Sequence, residues 1–272
     1  MAEQKYTALV LAGSRRGVED PLLEAGGVSH KCFIDIAGEP MLRRVVGAVL
    51  DSGRVQTVHV SLEEDSIEEA RAVLSPLGRE DRIRLVASRA TLADSVLAVT
   101  DADEEALPLV ITTGDNALHT AEMVAYFCNA LDSCEADAGL GLTRAEVMME
   151  RFPDGARAFH RFRDGAFSSC NLYALLTPGA LRAPRVFATG GQFAKKPWRL
   201  IKTFGIMPFL IYKSRKATLA GFLKSLSRPL KIRVEPVFMP FAEGPIDVDR
   251  VSDWRLANEI VAARLDGEGR AG

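Results

Sequence analysis

The run Thr7-Ala8-Leu9-Val10-Leu11-Ala12-Gly13-Ser14 constrains the fold of this chain more than any other segment. A short apolar stretch ending in small residues is a buried strand that hands over to a tight loop. Side chains as small as those of Ala12, Gly13 and Ser14 let a ligand lie on the backbone, whose amides can then meet phosphate oxygens. Arg15, Arg16 and Lys31 bring mobile positive charge to the same place. Together, Leu11 to Ser14 and these cations point to a nucleoside triphosphate site. The loop contains neither GxxxxGK[ST] nor GxGxxG, so it is not a Walker-type phosphate loop or a dinucleotide fingerprint.

Apolar runs alternate with helical patterns through the first half of the chain. Strands are predicted over Ala8–Ala12, Thr57–Leu62, Ile83–Val86 and Leu109–Thr113. Helices are predicted over Met41–Asp51, Ser66–Leu74, Ser95–Asp101 and Ala121–Leu131. Asp94 stands where the third helix needs an N-cap and Thr120 where the fourth does. This alternation predicts an α/β fold, a Rossmann-like three-layer α/β/α sandwich on a mostly parallel sheet, with ligands at the carboxyl ends of the strands. In the second half, Ala138–Thr143 and Ala166–Leu176 read as strands, residues 178–230 as helical, basic and apolar by turns, and Ile232–Val237 as a strand. Pro245–Asp249 reads as a further strand before a last helix, Ser252–Arg264. The whole chain, 1–272, reads as one domain. Its parts are a nucleotide-binding half (1–143), an acceptor half (144–245) with the insertion 178–230, and a metal-site strand with the terminal helix (246–272).

Asp115 ends a buried strand, where an open α/β sheet presents its ligand. A carboxylate there holds a divalent cation against a triphosphate, since Mg²⁺ takes one or two carboxylates plus phosphate oxygens; the plain alternative is a cap for the loop before Leu118. Asp247 and Asp249, alternating along the predicted strand, share a face and are costly unless solvated or sharing a cation. A helix-entry cap is the alternative for them. Asp94 and Ser95 serve equally as ordinary helix caps. His119 and His160 are better read as packed than as ligands.

The strand ending L-A-G, the basic loop, His30-Lys31, and Gly38-Glu39-Pro40-Met41-Leu42 opening a helix resemble the signature of GT-A-type nucleotidyltransferases. That group includes the MobA-like enzymes, the cytidylyltransferases and the sugar-nucleotide pyrophosphorylases. Its usual Pro-Lys is here His30-Lys31. The resemblance implies transfer of a nucleotidyl group to a phosphorylated acceptor with release of pyrophosphate, in the presence of Mg²⁺ or Mn²⁺. It implies Asp115 and Asp249 as metal ligands, Asp247 as their support, and Lys31 with Arg15 or Arg16 on the phosphates. Arg89 to Leu97 is similar to the cytidylyltransferase R-x-x-S-V element, so Ser95, with Ser88 and Ala12 beside it, is expected at the base and CTP is favoured. Asn171 in Gly165–Tyr173 resembles the acceptor-pocket strand G-x-N-x-Y, and Arg163, Lys195 and Lys196 are the cations around it. A molybdenum-cofactor-type guanylyltransferase, a GT-A glycosyltransferase and a nucleotide-binding protein without chemistry are the alternatives.

A net charge of -2 in 272 residues gives no global basic field for nucleic acid. Cys32, Cys128, Cys134 and Cys170 lack CxxC spacing, which argues against zinc and for reduced thiols in the cytoplasm. The N-terminus leads straight into the first strand without an apolar leader, and no apolar run reaches spanning length. The mix from Lys195 to Lys231 fits packed helices, the commoner use of such a pattern, or a membrane surface.

Overall fold

The computed structural model describes residues 5–14, 20–103, 105–153, 159–187 and 205–269. Its strands are β1 (Tyr6–Leu11), β2 (Asp35–Ile36), β3 (Glu39–Pro40), β4 (Val55–Leu62), β5 (Ile83–Ala87), β6 (Leu109–Thr113), β7 (Ala138–Arg144), β8 (His160–Phe162), β9 (Gly165–Leu175) and β10 (Val234–Phe238). The helices are α1 (Pro21–Gly26), α2 (Met41–Asp51), α3 (Ile67–Leu74), α4 (Leu92–Ala102), α5 (Ala121–Asp132), α6 (Ala145–Arg151), α7 (Arg182–Phe187), α8 (Ile206–Ser214), α9 (Leu219–Leu230) and α10 (Val251–Gly269). The α/β class and the mostly parallel strand pairing expected from the sequence are both present. The chain divides into two compact units. The first holds the residues up to Ser88, Ile111–Ala125 and those from Glu243 on; the second holds Arg89–Val110 and Tyr126–Ala242.

In the first unit β4 runs parallel to both β1 and β5, and β6 lies beside β1. Ala8, Leu9 and Val10 are fully buried, as a strand covered on both faces must be. Helix α2 lays Leu42, Val45, Val46 and Val49 on the core at helical spacing. Each such side chain contributes about 1.5–3 kcal/mol relative to an exposed one. The Glu39-Pro40-Met41 entry to α2 comes off a tight hairpin, β2 against β3, whose turn residues Ala37 and Gly38 have φ of 51° and 86°. Two positive φ values make the type I′ turn that suits a right-handed twist. The Asn258 carboxamide accepts the Ala37 N–H at 2.8 Å and holds that turn.

In the second unit β7 pairs parallel with β10 and antiparallel with β9, and β8 antiparallel with β9. Helix α9 covers this set through Leu219 and Leu223, which meet Leu142, Phe162 and Phe167. Asp137 pins the entrance of β7: its carboxylate accepts from Thr177 Oγ1 at 2.6 Å and from the Arg233 N–H at 2.8 Å.

Two expectations are corrected. The N-cap of α4 is Thr91, not Asp94: Thr91 Oγ1 accepts the Asp94 N–H at 3.1 Å and lies 2.7 Å from Asp94 Oδ2. Asp94 is thus the acidic third residue of a cap, and the helix starts three residues earlier than its polar start suggests. Residues 245–249 do not form a strand. Val248 instead gives its N–H to the backbone carbonyl of Asp115 at 3.0 Å, a single bond to a loop rather than a ladder.

Candidate active site

The site in the first unit begins where β1 ends. Ala12 donates its N–H to Ser61 at 2.8 Å, and the Ser14 N–H goes to Glu63 Oε1 at 2.7 Å. A Cβ on Gly13 would lie 3.5 Å from the Ser88 Cβ and 3.6 Å from Glu63, so loop, Ser88 and Glu63 meet at the glycine. Glu63 is buried, and its other oxygen lies 3.0 Å from His30 Nε2. His30 Nδ1 accepts the Cys32 N–H at 3.1 Å. A ring nitrogen that accepts carries no proton, so Nε2 holds it and donates to Glu63. His30 therefore caps the short turn Lys31–Phe33 with its own side chain. One buried carboxylate and one imidazole thus link the loop after β1 to the turn that carries Lys31. Glu63 was not singled out from the sequence, because Glu63-Glu64-Asp65 reads as ordinary acidic residues ahead of a helix.

Lys31 Nζ lies 2.7 Å from Asp115 Oδ2 and 2.5 Å from Asp249 Oδ1. Asp115 is the more sheltered partner, with 23% of its side chain exposed against 61% for Asp249, so its attraction is the less screened. Burial works to lower the Lys31 pKa, but the charges and hydrogen bonds of the two carboxylates prevail and raise it above the ordinary lysine value. Thr113 sits under the group: its single hydroxyl proton serves Asp115 Oδ1 at 2.6 Å. The same hydroxyl lies 2.5 Å from Asn116 Oδ1, so two acceptors share its one proton. Gly114 is required by close approach, since a Cβ there would stand 2.8 Å from Cys32 Sγ and 3.1 Å from Ala12 Cβ.

The structure thus brings Ala12, Gly13, Ser14, Lys31, Ser88, Asp115 and Asp249 into one unit, with Leu11 accepting the Gly114 N–H at 2.9 Å. Asp247 lies half-buried two residues before Asp249. Among the described residues no three His, Cys, Asp or Glu side chains gather as a metal cage. The donor set is a pair of carboxylates already converging on one cation, which suits Mg²⁺ with phosphate oxygens completing its shell. Arg15, Arg16, Lys195 and Lys196 lie outside the described residues. His119 is packed between the Thr112 hydroxyl and the Gly244 carbonyl.

The remaining candidates belong to the second unit. The Ser95 hydroxyl is buried and accepts the Arg89 N–H at 2.9 Å, which shapes the loop before α4. Asn171 has φ 51° at the point where the register of β9 on β7 slips, so a bulge turns it out of the ladder. Bulges re-aim side chains in this way, and asparagine tolerates the left-handed conformation better than most residues. Tyr173 lies beside it, its hydroxyl 3.1 Å from Ser169. Arg163 is exposed and donates its backbone N–H to Ala217.

Comparison with known proteins agrees with this architecture. A hypothetical transferase structure from Thermus thermophilus has TM-score 0.73 and 23% identity, covering 92% of this chain and 100% of its own. The 4-diphosphocytidyl-2C-methyl-D-erythritol synthase of Anaerococcus prevotii has TM-score 0.58 and 12% identity, with 96% and 97% covered. A CMP:2-keto-3-deoxy-manno-octonic acid synthetase structure, complexed with CTP, has TM-score 0.57 and 12% identity, with 95% and 99% covered. The fold is therefore the nucleotidyltransferase fold. Residues 24–146 match the family model of IspD, 2-C-methyl-D-erythritol 4-phosphate cytidylyltransferase. No curated protein matches the chain in sequence.

Proposed function

We propose that the chain transfers CMP from CTP to a phosphorylated acceptor and releases pyrophosphate. The observation that carries this reading is the clasp of Lys31 by Asp115 and Asp249 beside the small-residue end of β1. The cytidylyltransferase match over residues 24–146 supports CTP as the donor. An acceptor phosphate oxygen attacks the α-phosphorus, a new P–O bond forms, the α–β bridging bond breaks, and pyrophosphate leaves with the electron pair. The acceptor phosphate is already ionised near neutral pH, so no protein base is needed. Catalysis then rests on position and charge.

Lys31 carries its proton on Nζ through the neutral range, as a lysine of ordinary or raised pKa does. It therefore offers fixed positive charge to phosphate oxygens. The Gly13 backbone leaves room for the triphosphate, while Ser14 gives its amide to Glu63 and sets the shape of the loop. Arg15 or Arg16 adds charge from the same loop. Asp115 and Asp249 would hold Mg²⁺ or Mn²⁺, with Asp247 in support, and the bound ion would neutralise charge on the triphosphate. The base is assigned to Ser95, Asp94 and Ser88, and the acceptor to Asn171, Arg163, Lys195 and Lys196, on the motifs they stand in.

The test is pyrophosphate release from CTP across a panel of phosphorylated alcohols. Asp115→Ala is expected to abolish turnover with an unchanged circular dichroism spectrum. Lys31→Ala is expected to lower kcat by about 10²–10³, the cost of one preorganised charge. A selective thermal shift with CTP, ~2.7 kcal/mol at a hundredfold excess over Kd, would accompany it. CTP binding with no pyrophosphate released for any acceptor would favour a nucleotide sensor.

A further inference from the structure

Between Gly165 and Val234 the chain carries thirteen Lys and Arg and not one Asp or Glu. In a molecule whose net charge is -2, this stretch of the second unit is therefore strongly positive. Helix α8 stands in it. One side of α8 is packed: Phe209 lies against Leu230 and Ile232, and Tyr212 against Phe162 and Phe222. Its other side is apolar as well, with Ile206 58%, Met207 62% and Leu210 49% exposed. These three share about 100° of the helix circumference. The other large exposed apolar residues among those described stand singly, each on a different element. Lys213, Arg215 and Lys216 follow directly and are all exposed.

We propose that α8 docks this unit on an anionic lipid bilayer, with Ile206, Met207 and Leu210 in the interface and Lys213, Arg215 and Lys216 on the headgroups. An uncovered apolar face beside a run of cations can enter the headgroup region of an anionic bilayer, where buried apolar area and charge each add to binding. No helix among the described residues is long and apolar enough to cross a membrane, so the contact is made from one side. Charge selects the lipid surface over a protein partner. Specific protein interfaces fix their register with complementary charges of both signs, whereas a long stretch of one sign suits a uniform sheet of anionic headgroups. Nucleic acid would satisfy the cations but has no use for three exposed aliphatic side chains on one turn.

Flotation of the full chain, without nucleotide, measures this directly. The vesicles are phosphatidylglycerol and phosphatidylcholine at about 3:7, against pure phosphatidylcholine, in about 0.1 M salt. Binding is expected to the anionic vesicles and to be lost on the neutral ones. The pair Ile206→Glu with Leu210→Glu should lower the partition coefficient at least about tenfold. So should Lys213→Glu with Lys216→Glu, and all four sites are exposed, so the melting temperature should hold. A CTP-induced thermal shift retained in these variants separates this proposal from the catalytic one, whose carrying observation is the Lys31 clasp of the first unit. Equal binding to both vesicle types, or none, overturns the proposal. So does anionic binding that survives Ile206→Glu with Leu210→Glu, and a single-stranded oligonucleotide bound equally well by that variant would reassign the surface to nucleic acid.

Discussion

Histidine at position 30 makes two bonds that a proline before Lys31 could not. Its Nδ1 takes the Cys32 N–H, its Nε2 proton goes to Glu63, and Glu63 takes the Ser14 N–H. His30→Ala strands a buried amide and a buried carboxylate oxygen, each costing about 1–3 kcal/mol. A loss of roughly 2–4 kcal/mol is expected in urea unfolding at pH 7. Glu63→Ala should cost about as much, and the double variant less than the sum, because one hydrogen bond is shared. Strict additivity would show that the two side chains act separately. Lys31 and Asp115 were readable as candidates for the site because each stands out against its neighbours, one in a turn motif and one at the end of an apolar run. Glu63 was not, because its role depends on a partner thirty-three residues away in sequence.

Element boundaries were readable wherever burial and local signals agreed. Helix α2 runs over Met41–Asp51 and β6 over Leu109–Thr113, as their patterns predict, and Thr120 caps α5 by accepting the Met123 N–H. Helix α1 has only local markers: Asp20 caps, Pro21 opens, and Gly27 closes it with φ 63°. Its shortness hid it, since six residues show no periodicity. The segment 245–249 misled in the opposite way, because alternation sets a face and says nothing of whether a neighbouring strand exists. Asp137 offers a test of the pairing at the entrance of β7. The Thr177 hydroxyl, and then the Arg233 N–H, hold its carboxyl below the usual carboxylate range. A lowered folded pKa contributes stability above the unfolded value, about 3.9, and the contribution fades as pH falls through the folded one. Asp137→Asn is therefore expected to cost about 1 kcal/mol at pH 7. Thermal melts should show that difference closing as the pH falls below the unfolded carboxylate value of about 3.9.

For the molecule as a whole, the α/β class could be read from Thr7–Ser14 and the alternation after it. The division into two units could not, since it cuts through β6 and α5 rather than at a linker. Neither could the exposed side of α8, because Ile206-Met207-Pro208-Phe209-Leu210 is apolar on every side and periodicity does not say which side is covered. All four cysteines are thiols, and Cys32, Cys128 and Cys170 are buried. Burial, then the Asp115 charge, pushes the Cys32 thiol up beyond the usual range, and burial pushes Cys170 to about 12. Cys134 is half-exposed, with its thiol also raised by partial burial. Iodoacetamide at neutral pH should label Cys134 first and slowly, and the other three only on unfolding, as peptide mass spectrometry would read.

The Lys31 clasp has one more consequence. An ion drawn from solution answers to its concentration and to competing salt, but an ammonium on a four-carbon stem is a counter-ion on a tether. Its local concentration is set by covalent bonds. The loop after β6 and the segment before α10 are thus gathered by a charge that dilution and dialysis cannot carry away. A second cation on those carboxylates would displace a charge that stays within a side chain's length of them.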